Sequence, residues 1–322
     1  MDSEIFNVTK ENFESKAMQV FQYQLENNPL FNKYHQSLKD KRQGIGDILQ
    51  IPFLPISFFK THKITCFEGQ EEKIFFSSGT TGLTASRHYV KSLAIYEESF
   101  AKCFQQFYGH PSQYAFLCLL PSYLERDGSS LIYMAEHLVR MSDNNDSGFF
   151  LNTAGALTEI LLRREEAQQT TFLLGVTFAL LDFAAHAKLD LKHTIIMETG
   201  GMKGRREELT RAQVHELLIN SFNVPAVHSE YGMTELLSQA YSKGNGIFQC
   251  PPWMKVLVRE EDDPFAIKRT GSGLLCVIDL ANMYSCSFIE TADVGKVYDD
   301  GSFEVLGRMD NSDIRGCSLL VL

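Results

Sequence analysis

The chain has 322 residues, of which 44% are hydrophobic and 22% are charged, and its formal net charge is −10. This composition is globular and excludes an intrinsically disordered protein, and the length suffices for one large α/β core or two modest domains. The negative charge argues against nucleic acid or an anionic membrane surface as a partner.

The first fifty residues have helical periodicity and no recognisable motif. Between Met18 and Leu38 the apolar positions predict two short helices that are separated near Asn28-Pro29. Residues 51–55 predict an extended linker, because each proline disfavours helix in the residue before it. We therefore expect an N-terminal helical segment over 1–50, with the main domain starting at residue 51.

The middle of the chain, over 51–253, alternates between short apolar runs and helical segments. Strands are predicted at 74–76, 114–120, 171–175, 194–197 and 226–228, and helices at 92–107, 129–141, 178–187 and 206–220. This alternation predicts an α/β nucleotide-binding core with a parallel sheet between covering helices.

From residue 254 onward the pattern changes to strand-like runs at 256–258, 273–278 and 303–306, with Asp300-Gly301 as a hairpin turn. We expect a smaller antiparallel or barrel-like subdomain over 254–322, continuous with the core.

Several features bear on the compartment. The N-terminus lacks the basic and apolar regions of a secretory signal peptide, so we expect a cytoplasmic protein. The most apolar window, 172–187, is shorter than the ~20 residues of a membrane span and contains Asp182, so no span is expected. The seven cysteines form no Cys-x-x-Cys pair, which disfavours a zinc cluster and a full disulfide framework and favours reduced thiols.

The strongest local signal is a hydroxyl-rich loop after the apolar run 74–76. The loop consists of Ser77, Ser78, Gly79, Thr80, Thr81 and Gly82. Glycines let backbone N–H groups turn toward an anion, and the hydroxyls add uncharged donors, so the loop is suited to phosphate. It is not a Walker loop, because no Gly-Lys-Ser/Thr ending follows. An ordinary turn is the alternative.

Three later segments favour a nucleotide. Tyr231-Gly232-Met233-Thr234-Glu235 follows a predicted strand and sets a hydroxyl beside a carboxylate, a pair suited to a phosphate and its Mg²⁺. Glu290-Thr291-Ala292-Asp293-Val294-Gly295 offers an acid for ribose hydroxyls, and Gly307-Arg308-Met309-Asp310 adds a cation. In this order the four motifs resemble those of the adenylate-forming superfamily.

Within that superfamily, the chain resembles the acyl-protein synthetases of the bacterial luminescence fatty-acid reductase complex, the LuxE-type family. The resemblance runs from about residue 51 to residue 322, strongly at the motifs and loosely between them, and includes the segments 86–88, 198–205 and 315–317. It implies the layered α/β fold of the superfamily's N-terminal domain and an enzyme that uses ATP and Mg²⁺ to activate a carboxylic acid, expected to be fatty, as acyl-AMP.

The resemblance also implies roles for individual residues. The phosphates would be bound by the 77–82 loop, with Ser78, Thr80 and Thr81 foremost, and the α-phosphate by Thr234. Tyr231 and Gly232 would line the nucleotide, Asp293 and Arg308 would bind the ribose, and Glu235 would bind Mg²⁺. Gly200 and Gly201 match where the superfamily lays backbone along adenine and phosphate, with a plain strand-to-helix turn as the alternative. For Glu235 and Asp293 the alternatives are a helix first-turn carboxylate and a turn former.

Cys317 and His88 are the remaining catalytic candidates. In the resembled family, a cysteine near the C-terminus accepts the acyl group from the adenylate and passes it to a reductase partner. Arg315 beside Cys317 would favour the thiolate, whereas a small buried residue is the alternative. His88 could orient the acyl carboxylate or a phosphate, or it could satisfy only a local hydrogen bond.

The chain departs from the superfamily in two ways. Thr84-Ala85 stands where Pro-Lys commonly follows the loop, so Arg87 would be the nearby cation. The chain stops at Leu322, so we expect the lid domain and its bridging lysine to be absent. A lidless acyl- or aryl-coenzyme A ligase and a nucleotide-binding module without catalysis stay open as alternatives.

Overall fold

A computed structural model describes residues 2–38, 45–78, 84–121, 128–200, 209–260, 262–263 and 265–309. Within these residues there are nine α-helices: α1 (Asp2–Ile5), α2 (Phe13–Asn27), α3 (Pro29–Ser37), α4 (Phe58–Thr61), α5 (Leu93–Tyr108), α6 (Ser130–Ser142), α7 (Ala154–Glu166), α8 (Thr177–His186) and α9 (Arg211–Phe222).

The same part of the chain forms fifteen β-strands, distributed over three sheets. They are β1 (Leu54–Pro55), β2 (Lys73–Phe76), β3 (Arg87–Val90), β4 (Ala115–Leu119), β5 (Gly148–Phe149), β6 (Thr171–Val176), β7 (Thr194–Thr199), β8 (Val227–Tyr231), β9 (Ala240–Ser242), β10 (Ile247–Phe248), β11 (Met254–Arg259), β12 (Ile267–Lys268), β13 (Gly271–Asp279), β14 (Phe288–Val297) and β15 (Phe303–Arg308).

The central sheet has six strands in the order β5-β4-β6-β7-β8-β9, and all neighbours are parallel except β8 and β9. Every residue of β4 is buried, because helices cover both faces of a parallel sheet. This arrangement confirms the α/β prediction. Strand β8 extends to Tyr231, three residues beyond the predicted end at 228, so Tyr231 closes a strand.

The second sheet is mostly antiparallel and has seven strands. Its order is β10-β15-β14-β13-β11-β12, and β1 adds to β14 in parallel. The predicted turn at Asp300-Gly301 does connect β14 and β15 as a hairpin. Strands β2 and β3 form a separate antiparallel hairpin, with Phe75 opposite His88.

Local side-chain caps set the helix boundaries. Asn28 separates α2 from α3 as predicted, since its side chain accepts a hydrogen bond from Phe31 N and Pro29 occupies the first helical turn. Thr210 and Gln213 form a capping box, so α9 begins at Arg211, later than the predicted residue 206. Residues 206–208 lie outside the described residues.

Two hydrophobic clusters lie on opposite faces of the parallel sheet. Along β4, Phe116 and Cys118 belong to the larger cluster, whereas Leu117 and Leu119 belong to the smaller one, as the alternation of a strand requires. The smaller cluster lies under α7, α8 and α9. The larger cluster joins α5 and α6 to the antiparallel sheet.

The N-terminal helices pack on the antiparallel sheet through aromatic side chains. The ring of Phe288 in β14 lies 5.9 Å from that of Phe21 and 6.0 Å from that of Phe31, between centroids. Aromatic pairs at such spacings add to the stabilisation from buried area. None of the described helices is both long enough and apolar enough for a membrane crossing.

The β14–β15 hairpin depends on a glycine. A Cβ at Gly295 would lie 2.2 Å from the carbonyl oxygen of Glu304, a backbone atom that cannot move aside. We expect Gly295→Ala to lower the free energy of unfolding by about 2 kcal/mol in urea titrations, because overpacking forces strands apart. On the partner strand, Gly307→Ala is the matched control, since nothing lies within 4 Å of its added Cβ. Equal stabilities of the two variants would contradict the expectation.

Candidate active site

The candidate site lies where two neighbouring parallel strands end. Strands β7 and β8 pair with Glu198 opposite Ser229 and Thr199 opposite Glu230. Because carboxyl ends of parallel strands meet at one edge of the sheet, the segments after Thr199 and Tyr231 emerge side by side.

Three predicted ribose and nucleotide residues come together at this edge. The hydroxyl of Tyr231 donates to Oδ2 of Asp293 at 2.9 Å. Arg308 is opposite Asp293 in the β14–β15 ladder, and its Nε lies 3.8 Å from Oδ1 of Asp293. Burial and the nearby Asp293 raise the pKa of Tyr231, so the phenol stays protonated and donates. Arg308 is 52% exposed, which leaves guanidinium N–H groups for a ligand.

The main chain of Thr234 is held by the side chain of His88, which belongs to β3 in the two-stranded sheet. Nδ1 of His88 lies 2.7 Å from the carbonyl oxygen of Thr234, and Nε2 lies 2.9 Å from Oδ1 of Asn282. Burial lowers the pKa of His88 to about 4, so the ring is neutral near pH 7 and donates to one of these oxygens at a time. The ring is 1% exposed, so it lies behind the Thr234 backbone.

Glu235 follows in a segment that is not helical. Residues 232–239 form a turn and irregular chain between β8 and β9, so the first-turn alternative for Glu235 is wrong. Glu235 is 5% exposed, and its carbonyl oxygen accepts from Nδ2 of Asn282 at 2.8 Å.

The predicted phosphate loop connects β2 and β3. Its ends are joined, because Ser77 N donates to the carbonyl of Ser86 at 3.1 Å and Ser86 N donates to Oγ of Ser77 at 2.9 Å. Ser78 is exposed. Strands β2 and β3, which flank the loop, pair antiparallel, and β3 carries His88. Four of the loop's predicted residues lie outside the described part of the chain: Gly79, Thr80, Thr81 and Gly82.

Two of the predicted glycines, Gly200 and Gly232, are described, and they differ in the space around them. Gly200 has φ +72°, a conformation that favours glycine, and nothing lies within 4 Å of an added Cβ. Gly232 is exposed, but a Cβ there would lie 2.4 Å from Oε1 of Glu230. Gly201 and Cys317 lie outside the described residues.

Two buried acids under this edge were not among the predicted site residues. Burial alone would raise the pKa of Glu198, but His215, the Arg211 guanidinium and Thr177 outweigh it and lower that pKa. Burial raises the pKa of Glu230 to about 7, although the hydrogen bond from Thr199 opposes the rise. The sequence signal for both was an acid near the end of a predicted strand.

The raised pKa of Glu230 predicts a pH-dependent stability. Between pH 4.5 and 7 the folded state keeps a proton that the unfolded state has lost, so stability falls as pH rises. As the pH rises from 4.5 to 7, the parent should lose about 3 kcal/mol of unfolding free energy, since each pKa unit is worth about 1.4 kcal/mol. Glu230→Gln has no carboxyl group at this position, so it should not show this loss. Urea titrations at both pH values measure the loss, with Glu216→Gln on the exposed face of α9 as control. A constant difference between Glu230→Gln and the parent would contradict it.

Asn282 and Asp279 are further site-supporting residues that sequence reasoning missed. Asp279 caps the 3₁₀ turn Leu280–Asn282 between β13 and β14, and Asn282 is the last residue of that turn; they are 0% and 1% exposed. No motif marks this turn, so the sequence carried no signal for it.

The fold is similar to that of solved structures. ATP-bound MatB from Rhodopseudomonas palustris gives a TM-score of 0.55 at 17% identity, with 75% of this chain and 49% of that chain covered. Apo MatB from the same organism gives 0.53 at 16% identity, with 76% and 49% covered. McyG A-PCP complexed with phenylalanyl-adenylate gives 0.50 at 14% identity, with 74% and 47% covered.

The chain has the adenylate-forming fold. It spans about half the length of these matched structures. No protein-family model matches the chain, and no curated protein matches it either. The predicted fold is thus confirmed, whereas the LuxE-type branch and the absent lid stay predictions.

Proposed function

We propose that the protein binds ATP at the candidate active site and activates a carboxylic acid as acyl-AMP. One observation carries the proposal: Asp293 and Arg308 meet Tyr231 at the carboxyl end of β8, three residues before Thr234, in a fold that ATP-bound MatB also has. Three peptide units separate Tyr231 from Thr234, so their Cα atoms are at most about 11 Å apart. A mononucleotide spans such a distance.

The chemistry requires charge control and alignment. A carboxylate oxygen attacks the α-phosphorus, the new bond to that oxygen forms, and the bond to pyrophosphate breaks, so pyrophosphate leaves with the electron pair. The Thr234 hydroxyl would donate to the α-phosphate, while Asp293 and Arg308 would hold the ribose. Residues 77–82 would bind the remaining phosphates. Positioning of this kind supplies most of the catalysis in phosphoryl transfer.

A magnesium ion carried by the triphosphate fits the donor set. Mg²⁺ commonly binds one or two carboxylates together with substrate phosphates and water. Glu235 offers a carboxylate next to Thr234, and the described residues contain no group of three or more His, Cys, Asp or Glu that could hold a metal by itself. The ion would neutralise phosphate charge when bound.

We further propose that a protein thiol accepts the acyl group, with Cys317 as the first acceptor and a reductase-type partner as the next. The thiol sulfur attacks the acyl carbon, the C–S bond forms, and AMP leaves with the electrons of the broken C–O bond. The acid is proposed to be fatty, in line with the resembled family.

Carboxylate-dependent exchange of labelled pyrophosphate into ATP tests the adenylation step. We expect exchange with a fatty acid and none without an acid. If the protein binds ATP but no acid in a panel of carboxylic acids supports exchange, the proposal is contradicted, and a nucleotide-binding module without catalysis is favoured. Release of acyl-coenzyme A on addition of coenzyme A would support adenylation but replace the protein thiol as acceptor.

A further inference from the structure

The segment 234–238 is held by three buried side chains from distant parts of the chain. We call His88, Asp279 and Asn282 the buried brace. All three are at most 1% exposed, and none has a nucleotide role in the proposed function. Burying polar groups is costly unless they are hydrogen-bonded, so their partners indicate what they do.

Two members of the brace bind the main chain of the two residues assigned to phosphate and metal. His88 contacts the carbonyl oxygen of Thr234 at 2.7 Å, and Asn282 donates to that of Glu235 at 2.8 Å. The third member, Asp279, fixes the chain just downstream. Its Oδ2 accepts from Leu237 N at 2.8 Å and Ser238 N at 3.0 Å.

The brace also connects the segment to the hairpin of β2 and β3, which we call the phosphate hairpin because its strands flank the predicted phosphate loop. His88 lies in β3, the second strand of this hairpin. Its Nε2 is 2.9 Å from Oδ1 of Asn282, in the turn between β13 and β14. The ring of Phe59 packs against His88 with centroids 5.8 Å apart, which limits rotation of the imidazole. The position of Thr234 relative to the hairpin is therefore set through the His88 side chain.

We propose that His88 and Asn282 are positioning residues that hold the Thr234 hydroxyl and the Glu235 carboxylate in register with the phosphate hairpin. The inference rests on the proposed function for its effect on turnover, but its structural content does not. His88 acts on the reaction through the Thr234 backbone and not through contact with substrate.

The test compares His88→Leu and His88→Asn with Ser142→Ala. Ser142 is the control, because it is 3% exposed and its hydroxyl donates to the carbonyl of Val139 at 2.6 Å, so the variant also removes a buried hydrogen bond to the main chain, but at the end of α6. An asparagine at 88 keeps an N–H donor, whereas leucine removes it. Each variant is measured for kcat and KM for ATP in pyrophosphate exchange, and for amide hydrogen exchange of peptides over 231–239.

We expect His88→Leu to lower kcat about tenfold with a smaller change in KM, since one hydrogen bond is worth up to about 1.5 kcal/mol. His88→Asn should recover part of the loss, and Ser142→Ala should keep kcat. Faster amide exchange over 231–239 is expected in His88→Leu only. Unchanged amide exchange there, or an equal kcat loss in Ser142→Ala, would overturn the inference. If no acid supports exchange in the parent protein, the proposed function fails, while the amide measurement still decides the brace.

Discussion

Asp293→Ala is expected to lower kcat/KM for ATP in pyrophosphate exchange about 100-fold. Hydrogen bonds to a charged group are worth about 1.5–3 kcal/mol, and each 1.4 kcal/mol is a factor of ten. The carboxylate is held by Tyr231 at 2.9 Å and faces Arg308 at 3.8 Å, so its loss also releases both neighbours. Steady-state exchange at varied ATP concentration measures the effect.

Two further variants sharpen this experiment. Tyr231→Phe removes only the donor to Asp293, so it should give a loss smaller than that of Asp293→Ala. Asp300→Ala is the matched control in the turn of the same hairpin. The Asp300 carboxylate accepts hydrogen bonds from Ser302 N and Oγ, so this variant also removes a hydrogen-bonded aspartate. If Asp293→Ala kept the kcat/KM of Asp300→Ala, the ribose assignment would be wrong.

Cys317→Ser is expected to abolish the covalent acyl adduct. With labelled fatty acid and ATP, the parent should carry a label that neutral hydroxylamine releases, as a thioester does. A serine hydroxyl is a far weaker nucleophile than a thiolate, so the variant should carry none while pyrophosphate exchange continues.

The described cysteines support this choice of residue. Cys103, Cys118, Cys276 and Cys286 are fully buried, and burial raises the pKa of Cys66 and Cys118 to about 12. Buried thiols of this kind are poor nucleophiles. Cys250 is partly buried, so Cys250→Ser is the control that should keep the label. A label that persists in Cys317→Ser and disappears in Cys250→Ser would reassign the acceptor.

Much of the fold could be predicted from local patterns. Apolar periodicity gave the strand and helix at 114–120 and 129–141, which match β4 and α6 within one residue at each end. The Asp-Gly pair between two strand-like runs predicted the hairpin turn at Asp300-Gly301. These features depend on neighbours in sequence, and a chain segment carries such information by itself.

The candidate site was predictable only in part. The motif residues Tyr231, Asp293 and Arg308 were identified from sequence and do lie together in the structure. Their mutual geometry follows from the β14–β15 register and the length of β8, neither of which the motifs specify. A one-residue change of register would turn Arg308 to the other face of the sheet.

The order of the elements, the α/β class and the motif residues could be predicted from the chain, because they depend on short-range patterns. The folded structure was needed to show that His88 contacts the Thr234 backbone, that Asn282 and Asp279 support the same segment, and that Glu230 has a raised pKa. The reason is physical: His88 and Asn282 are 194 residues apart, and their contact exists only when two sheets pack together.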